Sequence, residues 1–141
     1  NFSVCIGTNF SELVEMAGGF TEQPKKIISG GPMMGFAMFN LDIPTTKTTS
    51  ALLCMTEDEV AQYAPGPCIN CGRCVEICPE RIVPSRLADH AEHHREDLFE
   101  KWHGLECIEC GSCSYVCPAK RQLAQAIKSM KKNVLANKRK R

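Results

Sequence analysis

At 141 residues, with 43% apolar residues and a formal charge of +1, the chain has the size and composition of one ordinary globular domain or two small ones. No apolar run approaches the ~20 residues that a membrane-spanning helix needs, which excludes such a helix from this stretch. The near-neutral total conceals an asymmetry: residues 1–119 hold all 16 acidic side chains against 8 of the 17 basic ones, a balance of −8, whereas residues 120–141 hold 9 basic side chains and no acid.

The chain opens on Asn1 without an initiator methionine, and its first residues read as the inside of a strand. It is therefore expected to be a piece of a longer polypeptide. Residues 2–7 alternate apolar and polar side chains, as a short strand does. Thr8 or Asn9 then caps a helix, Asn9 with Glu12 in a capping box, and Gly18 and Gly19 stop it. Lys26 to Ser29 reads as a second strand. Gly30 to Gly35 (GGPMMG) forces a tight loop, with Met33 and Met34 expected to plug the core beneath it. Phe36 to Thr49 is turn-rich, and Pro44 opposes a helix. Ser50 to Met55 looks like a buried strand. Thr56 and Glu59 make a second capping box for a short helix ending near Tyr63, and Ala64 to Pro67 reads as a linker. Residues 1–63 and 64–130 are thus expected as separate regions, followed by a basic tail over 131–141.

Two related runs dominate the second region. From Cys68 the chain reads C-I-N-C-G-R-C-V-E-I-C-P, and from Cys107 it reads C-I-E-C-G-S-C-S-Y-V-C-P. Both follow the C-x2-C-x2-C-x3-C-P spacing that holds two [4Fe-4S] clusters, the fourth cysteine of each run serving the other run's cluster. One cluster is expected on Cys68, Cys71, Cys74 and Cys117, and the second on Cys107, Cys110, Cys113 and Cys78. Gly72 and Gly111 ease the tight wrapping of backbone round a cubane, and Pro79 and Pro118 redirect the chain as it leaves. A zinc ribbon needs only two C-x2-C pairs and leaves the remaining cysteines unexplained. A disulfide framework belongs to a secreted chain, and no signal peptide is seen; ten cysteines point instead to a reducing compartment.

Between the runs, Arg86 to His94 and Arg95 to Trp102 read as helices, with Gly104 as the stop and Trp102 as core packing. After the second run, Leu123, Ala124, Ile127, Met130 and Val134 form one stripe of a long amphipathic helix, whose end, Lys138 to Arg141, is expected to fray. Cys5 and Cys54 read as buried, inert thiols. His90, His93, His94 and His103 read as solvated or core-edge side chains rather than ligands. No nucleophile and base pair stands out. The basic tail suits an anionic membrane surface, and the lack of interleaved aromatics speaks against nucleic acid.

Together, GGPMMG, the following D-I-P-T-T-K of Asp42 to Lys47 and the two cysteine runs resemble the C subunit of the Rnf electron-transport complexes. The resemblance covers nearly the whole chain, from Ile6 to about Met130. It implies an α+β chain: a partial β-grasp (SLBB-like) region, then an α-helical ferredoxin domain with two [4Fe-4S] clusters. It further implies an electron carrier without a catalytic site of its own, peripheral on the cytoplasmic face of a bacterial membrane and partnered by the membrane subunits of the complex. FMN and NADH would bind in an upstream part. Alternatives from the residues are an iron-sulfur subunit of a cobalamin, heterodisulfide or fumarate reductase-like enzyme, or a metal-stapled interaction module.

Overall fold

The computed structural model describes residues 1–140. The chain forms two compact units, Asn1–Gln62 and the segment from Tyr63 onward, which together make a mixed α and β fold.

In the first unit, strand β1 (Lys26–Ser29) lies between β2 (Phe36–Met38) and β3 (Leu52–Met55), both antiparallel to it. The register sets Ile28 opposite Ala37 on one side and Leu53 on the other, so the central strand carries the burial. Helix α1 (Phe10–Met16) buries Phe10. The Asn9 side-chain amide donates to Asp42 at 3.0 Å and closes no capping box, while the Phe10 and Ser11 amides donate to the Ile43 and Leu41 carbonyls.

Several sequence expectations change here. Residues 2–7 form no strand: Gly7 turns at φ 100°, and the Cys5 carbonyl accepts from the Thr8 amide and hydroxyl and from the Thr45 hydroxyl, which folds the segment into a turn. Strand β2 was hidden within the turn-rich stretch. In the loop before it, a Cβ on Gly35 would lie 2.5 Å from the Gly31 carbonyl oxygen and 2.6 Å from the Ile28 side chain, so only glycine fits. That close approach leaves no room beneath the loop, and Met33 and Met34 point outward, exposed, rather than plugging the core. Cys5 is exposed and Cys54 half-buried in β3. The helical turn Glu59–Gln62 is capped by Asp58, which accepts from the Ala61 amide and pairs with Lys26 at 2.8 Å. The Lys26 hydrogen bond holds the Asp58 carboxyl below the usual carboxylate range.

The second unit is helical: α2 (Arg73–Glu76), α3 (Pro84–Glu92), α4 (Glu96–Lys101), α5 (Ser112–Tyr115) and α6 (Leu123–Arg139). Pro84 opens α3 at a position whose amide has no helical partner anyway. Leu123, Ile127, Met130 and Val134 recur at three- and four-residue steps along α6 and pack with Leu87, Ala88, Ala91 and Phe99 of α3 and α4 in one buried cluster. Gly104 makes the turn after α4 possible, since a Cβ there would sit 2.4 Å from the Phe99 ring. Trp102 is 41% exposed and tilts against His90 at 6.1 Å, outside the core that sequence reasoning assigned it to, because Phe99 fills that place.

The basic tail is helical through Arg139 rather than frayed. Asn137 donates to Glu96 at 2.9 Å and Lys138 pairs with Glu100, which ties the last turn to α4. Arg141, the last residue of that expected tail, lies outside the described residues.

Candidate metal centre

The two cysteine runs fold alike because both need the same unusual dihedrals. Asn70 and Glu109 are left-handed at φ 55° and 59°, Gly72 and Gly111 at 78° and 82°, and Arg81 and Lys120 both at 54°. Such values cost a non-glycine residue about 1–2 kcal/mol each, so their repetition marks a loop held in shape by what surrounds it. After each glycine comes a single helical turn, α2 or α5. The Val75 amide donates to Gly72 and the Ser114 amide to Gly111, then Cys78 to Val75 and Cys117 to Ser114, and finally Arg81 to Cys78 and Lys120 to Cys117. These bonds carry the fourth cysteine of each run away from its first three.

Where it is carried decides the geometry. Cys68, Cys71 and Cys74 line a cavity of about 120 Å³ together with Cys117 from the other run, Pro118 and Arg121. Cys107, Cys110 and Cys113 line a narrower one, about 20 Å³, together with Cys78, Pro79 and Ile82. No disulfide joins any of the ten cysteines.

The walls differ in hydration. Cys68 and Cys71 are exposed, whereas Cys113 is buried in the helical core. Burial pushes the Cys113 thiol up to about 11, against the opposing pull of the Ser114 amide, and raises Cys107 as well. Cys110 is lowered, chiefly by the Ser112 hydroxyl beside it at 3.5 Å. Backbone support is equally specific: the Glu109 amide donates to the Cys107 sulfur at 3.4 Å, and the Lys131 ammonium donates to the Cys107 carbonyl at 2.6 Å. Ser114 accepts the Ala124 amide at 2.8 Å, joining the second run to the start of α6. On the first cavity, one Arg121 nitrogen donates to both carboxylate oxygens of Glu92 at 2.9 and 2.8 Å.

These donors fit an iron-sulfur cubane better than a single ion. Tetrahedral zinc requires four donors about 2.0–2.3 Å from one point, and among the described residues no three Cys, His, Asp or Glu side chains gather in that way. A cubane takes one thiolate at each of four irons, so its ligands stand apart around a cavity. No histidine lines either cavity: His93 bonds to the Asp89 carbonyl, His103 to Glu106, and His90 buries an Nε2 that has no hydrogen-bond partner among the described residues. Sequence reasoning missed Arg121, Lys131 and Ser114, whose roles depend on helix packing; only Arg121 left a signal, its place three residues after the C-P of Cys117 and Pro118.

Comparison with known proteins agrees with both halves of the chain. Residues 1–37 match the SLBB domain family and residues 67–123 match the 4Fe-4S dicluster domain family, so the cofactor of the second unit is a pair of [4Fe-4S] clusters. The chain is 44% identical over 135 residues to the C subunit of the Na+-translocating ferredoxin:NAD+ oxidoreductase complex of Acetobacterium woodii, covering 96% of this chain and 30% of that protein. It is 49% identical over 135 residues to the C subunit of the proton-translocating ferredoxin:NAD+ oxidoreductase complex of Clostridium ljungdahlii, covering 93% of this chain and 29% of that protein. It is also 39% identical over 135 residues to the C subunit of an ion-translocating oxidoreductase complex of Methanosarcina acetivorans, covering 96% and 30%. The chain spans about 30% of the length of these relatives. Along nearly all of its own length, the chain is homologous to a segment of the C subunit of the Rnf-type ion-translocating oxidoreductase complexes.

Proposed function

We propose that this chain is an electron-transfer module of such a complex, with one [4Fe-4S] cluster held by Cys68, Cys71, Cys74 and Cys117 and the other by Cys107, Cys110, Cys113 and Cys78. The observation that carries the reading is that each cavity is lined by three cysteines of one run and the fourth of the other. When bound, the clusters supply one-electron redox chemistry without proton transfer at carbon. The chain's own residues do the rest. Left-handed Asn70, Gly72, Glu109 and Gly111 turn the thiolates inward, amides such as that of Glu109 donate to sulfur, and Ile82, Leu123 and Ile127 keep water from the protein side. Hydrogen bonds and exclusion of water are the levers by which a protein sets a cluster's potential.

On this reading the dicluster region is 64–130, residues 1–63 form a partial β-grasp region, and 131–141 is a basic tail. Flavin and nicotinamide chemistry belongs to parts of the longer relatives outside this chain, and the partners are the other subunits of the complex at the cytoplasmic face of the membrane. Among the described residues no helix is long and apolar enough to cross a membrane, which suits a peripheral position. Lys132, Arg139 and Lys140 are exposed and suit anionic headgroups, each contributing about 1 kcal/mol near such a surface.

The test is an anaerobic iron and sulfide assay on the reconstituted chain, paired with a reductive EPR spectrum. About eight irons and eight sulfides per chain with a signal from two interacting reduced clusters are expected. One or two zincs and no reducible signal would overturn the reading.

A further inference from the structure

The two runs are related by a constant offset of 39 residues, which takes Cys68 to Cys107, Cys71 to Cys110, Cys74 to Cys113 and Cys78 to Cys117. The same offset pairs the cavity walls. Ile69 matches Ile108, Gly72 matches Gly111, and Pro118 matches Pro79. Five wall positions break the match; Leu123 against Pro84 and Ser85 against Ala124 leave the charge unchanged, and the other three change it. Asn70 of the first cavity stands where the second has Glu109, Ala119 where the second has Glu80, and Arg121 where the second has buried Ile82.

The wall of the first cavity therefore carries one cation and no anion, and the wall of the second carries two anions and no cation. Counted with the charges behind the walls, each site sums to zero, so the contrast lies in what lines the cavities: a guanidinium on one wall and two carboxylates on the other, with Glu92, Lys128 and Lys131 outside both linings. Glu92 holds Arg121, Lys128 stands 3.5 Å from Glu109, and Lys131 lies on the Cys107 carbonyl. Glu80 makes no ion pair among the described residues. Hydration works in the same direction, since Cys68 and Cys71 of the first cavity are exposed and no cysteine of the second is.

One-electron reduction adds one negative charge to a site. Opposite charge beside that site favours the added electron, and like charge or burial opposes it. Resting on the ligand sets of the proposed function, we infer that Arg121 sets the potential of the site formed by Cys68, Cys71, Cys74 and Cys117, making it the more easily reduced of the two, so that a single electron entering the pair settles there. Arg121 acts from a fixed place: it is half-buried, and the carboxylate of Glu92 on α3 orients its guanidinium.

The experiment is an EPR-monitored dithionite titration of the anaerobically reconstituted 141-residue chain. Two midpoints are expected. Arg121→Gln should lower the higher midpoint by about tenfold in the reduction equilibrium, about 59 mV for one electron, and leave the lower one in place. Glu92→Gln should move the same midpoint upward, because it removes an anion and keeps the guanidinium. Arg121→Lys should restore most of the parent value. A merely structural role for the pair would not move one midpoint in opposite directions. Should Arg121→Gln fail to take up iron, Glu92→Gln decides alone, since its carboxylate is exposed. Full iron content with unmoved midpoints, with both midpoints moving together, or with the lower one moving would overturn the inference. A chain without about eight irons would instead overturn the proposed function itself.

Discussion

Between the cavity around Cys68 and the cavity around Cys107 the backbone repeats closely, whereas the surroundings do not. Both loops turn through the same left-handed positions and both end in a helical turn and a C-P pair. Yet two cysteines of the first are exposed, and Cys113 of the second sits in one buried cluster with Leu87, Phe99 and Ile127. The difference teaches that the loop dihedrals fix where thiolates can stand, while α3 and α6 fix how wet and how charged that place is. One motif can thus be used twice in one unit for two unequal sites.

The sharpest way to break this comparison is to remove a wall from each cavity. Cys68→Ala and Cys113→Ala are each expected to lower the iron content from about eight to about four per chain. Cys113→Ala should in addition lower the melting temperature of the unit, since it deletes a buried core atom at a cost of roughly 1 kcal/mol. Iron assay with calorimetry measures both, and equal loss of stability in the two variants would erase the distinction between a wet and a dry site. Removal of metal by a chelator should next proceed in two phases of equal amplitude, the faster by several-fold and belonging to the Cys68 site, because metal leaves where water and chelator reach the ligands. A single phase in the visible absorbance would count against it.

Smaller changes sharpen the backbone half of the comparison. Gly72→Ala should destabilise by about 1–2 kcal/mol through strain alone, because no atom stands within 4 Å of the added Cβ at φ 78°. Gly111→Ala, at φ 82°, should cost the same in a urea titration if the loops are as equivalent as their dihedrals. The smallest effect is expected from Lys131→Met, about 1 kcal/mol for one hydrogen bond to a carbonyl, felt as faster amide exchange around Cys107 and not around Cys68.

The helical part of the fold was largely legible in the sequence because its signals are local. The spacing of Leu123, Ile127, Met130 and Val134, with Gly104 as a stop, needs no knowledge of the rest of the chain. Strand β2 was not legible, since Phe36 to Met38 becomes a strand only by pairing with β1, and nothing local separates it from the turns around it. The strand expected over residues 2–7 failed for the converse reason: its alternation was real, but Thr45, distant in sequence, claims the Cys5 carbonyl. Of the candidate site, the cysteines and turn glycines stand in the motif itself. Lys131 and Ser114 reach it only through helix packing, and Arg121 shows its meaning when set beside Ile82.

The exchange of Cys78 and Cys117 between the cavities also orders events while the chain is being made. The first cavity lacks its last wall until the ribosome has released Cys117, although Cys68, Cys71 and Cys74 emerged long before. Those three thiols must therefore wait, unburied and open to oxidation, for a residue at the far end of the second run. Cofactor insertion is expected to be a late and concerted event of biosynthesis, and a nascent chain arrested between the two runs should accept no complete cluster at all.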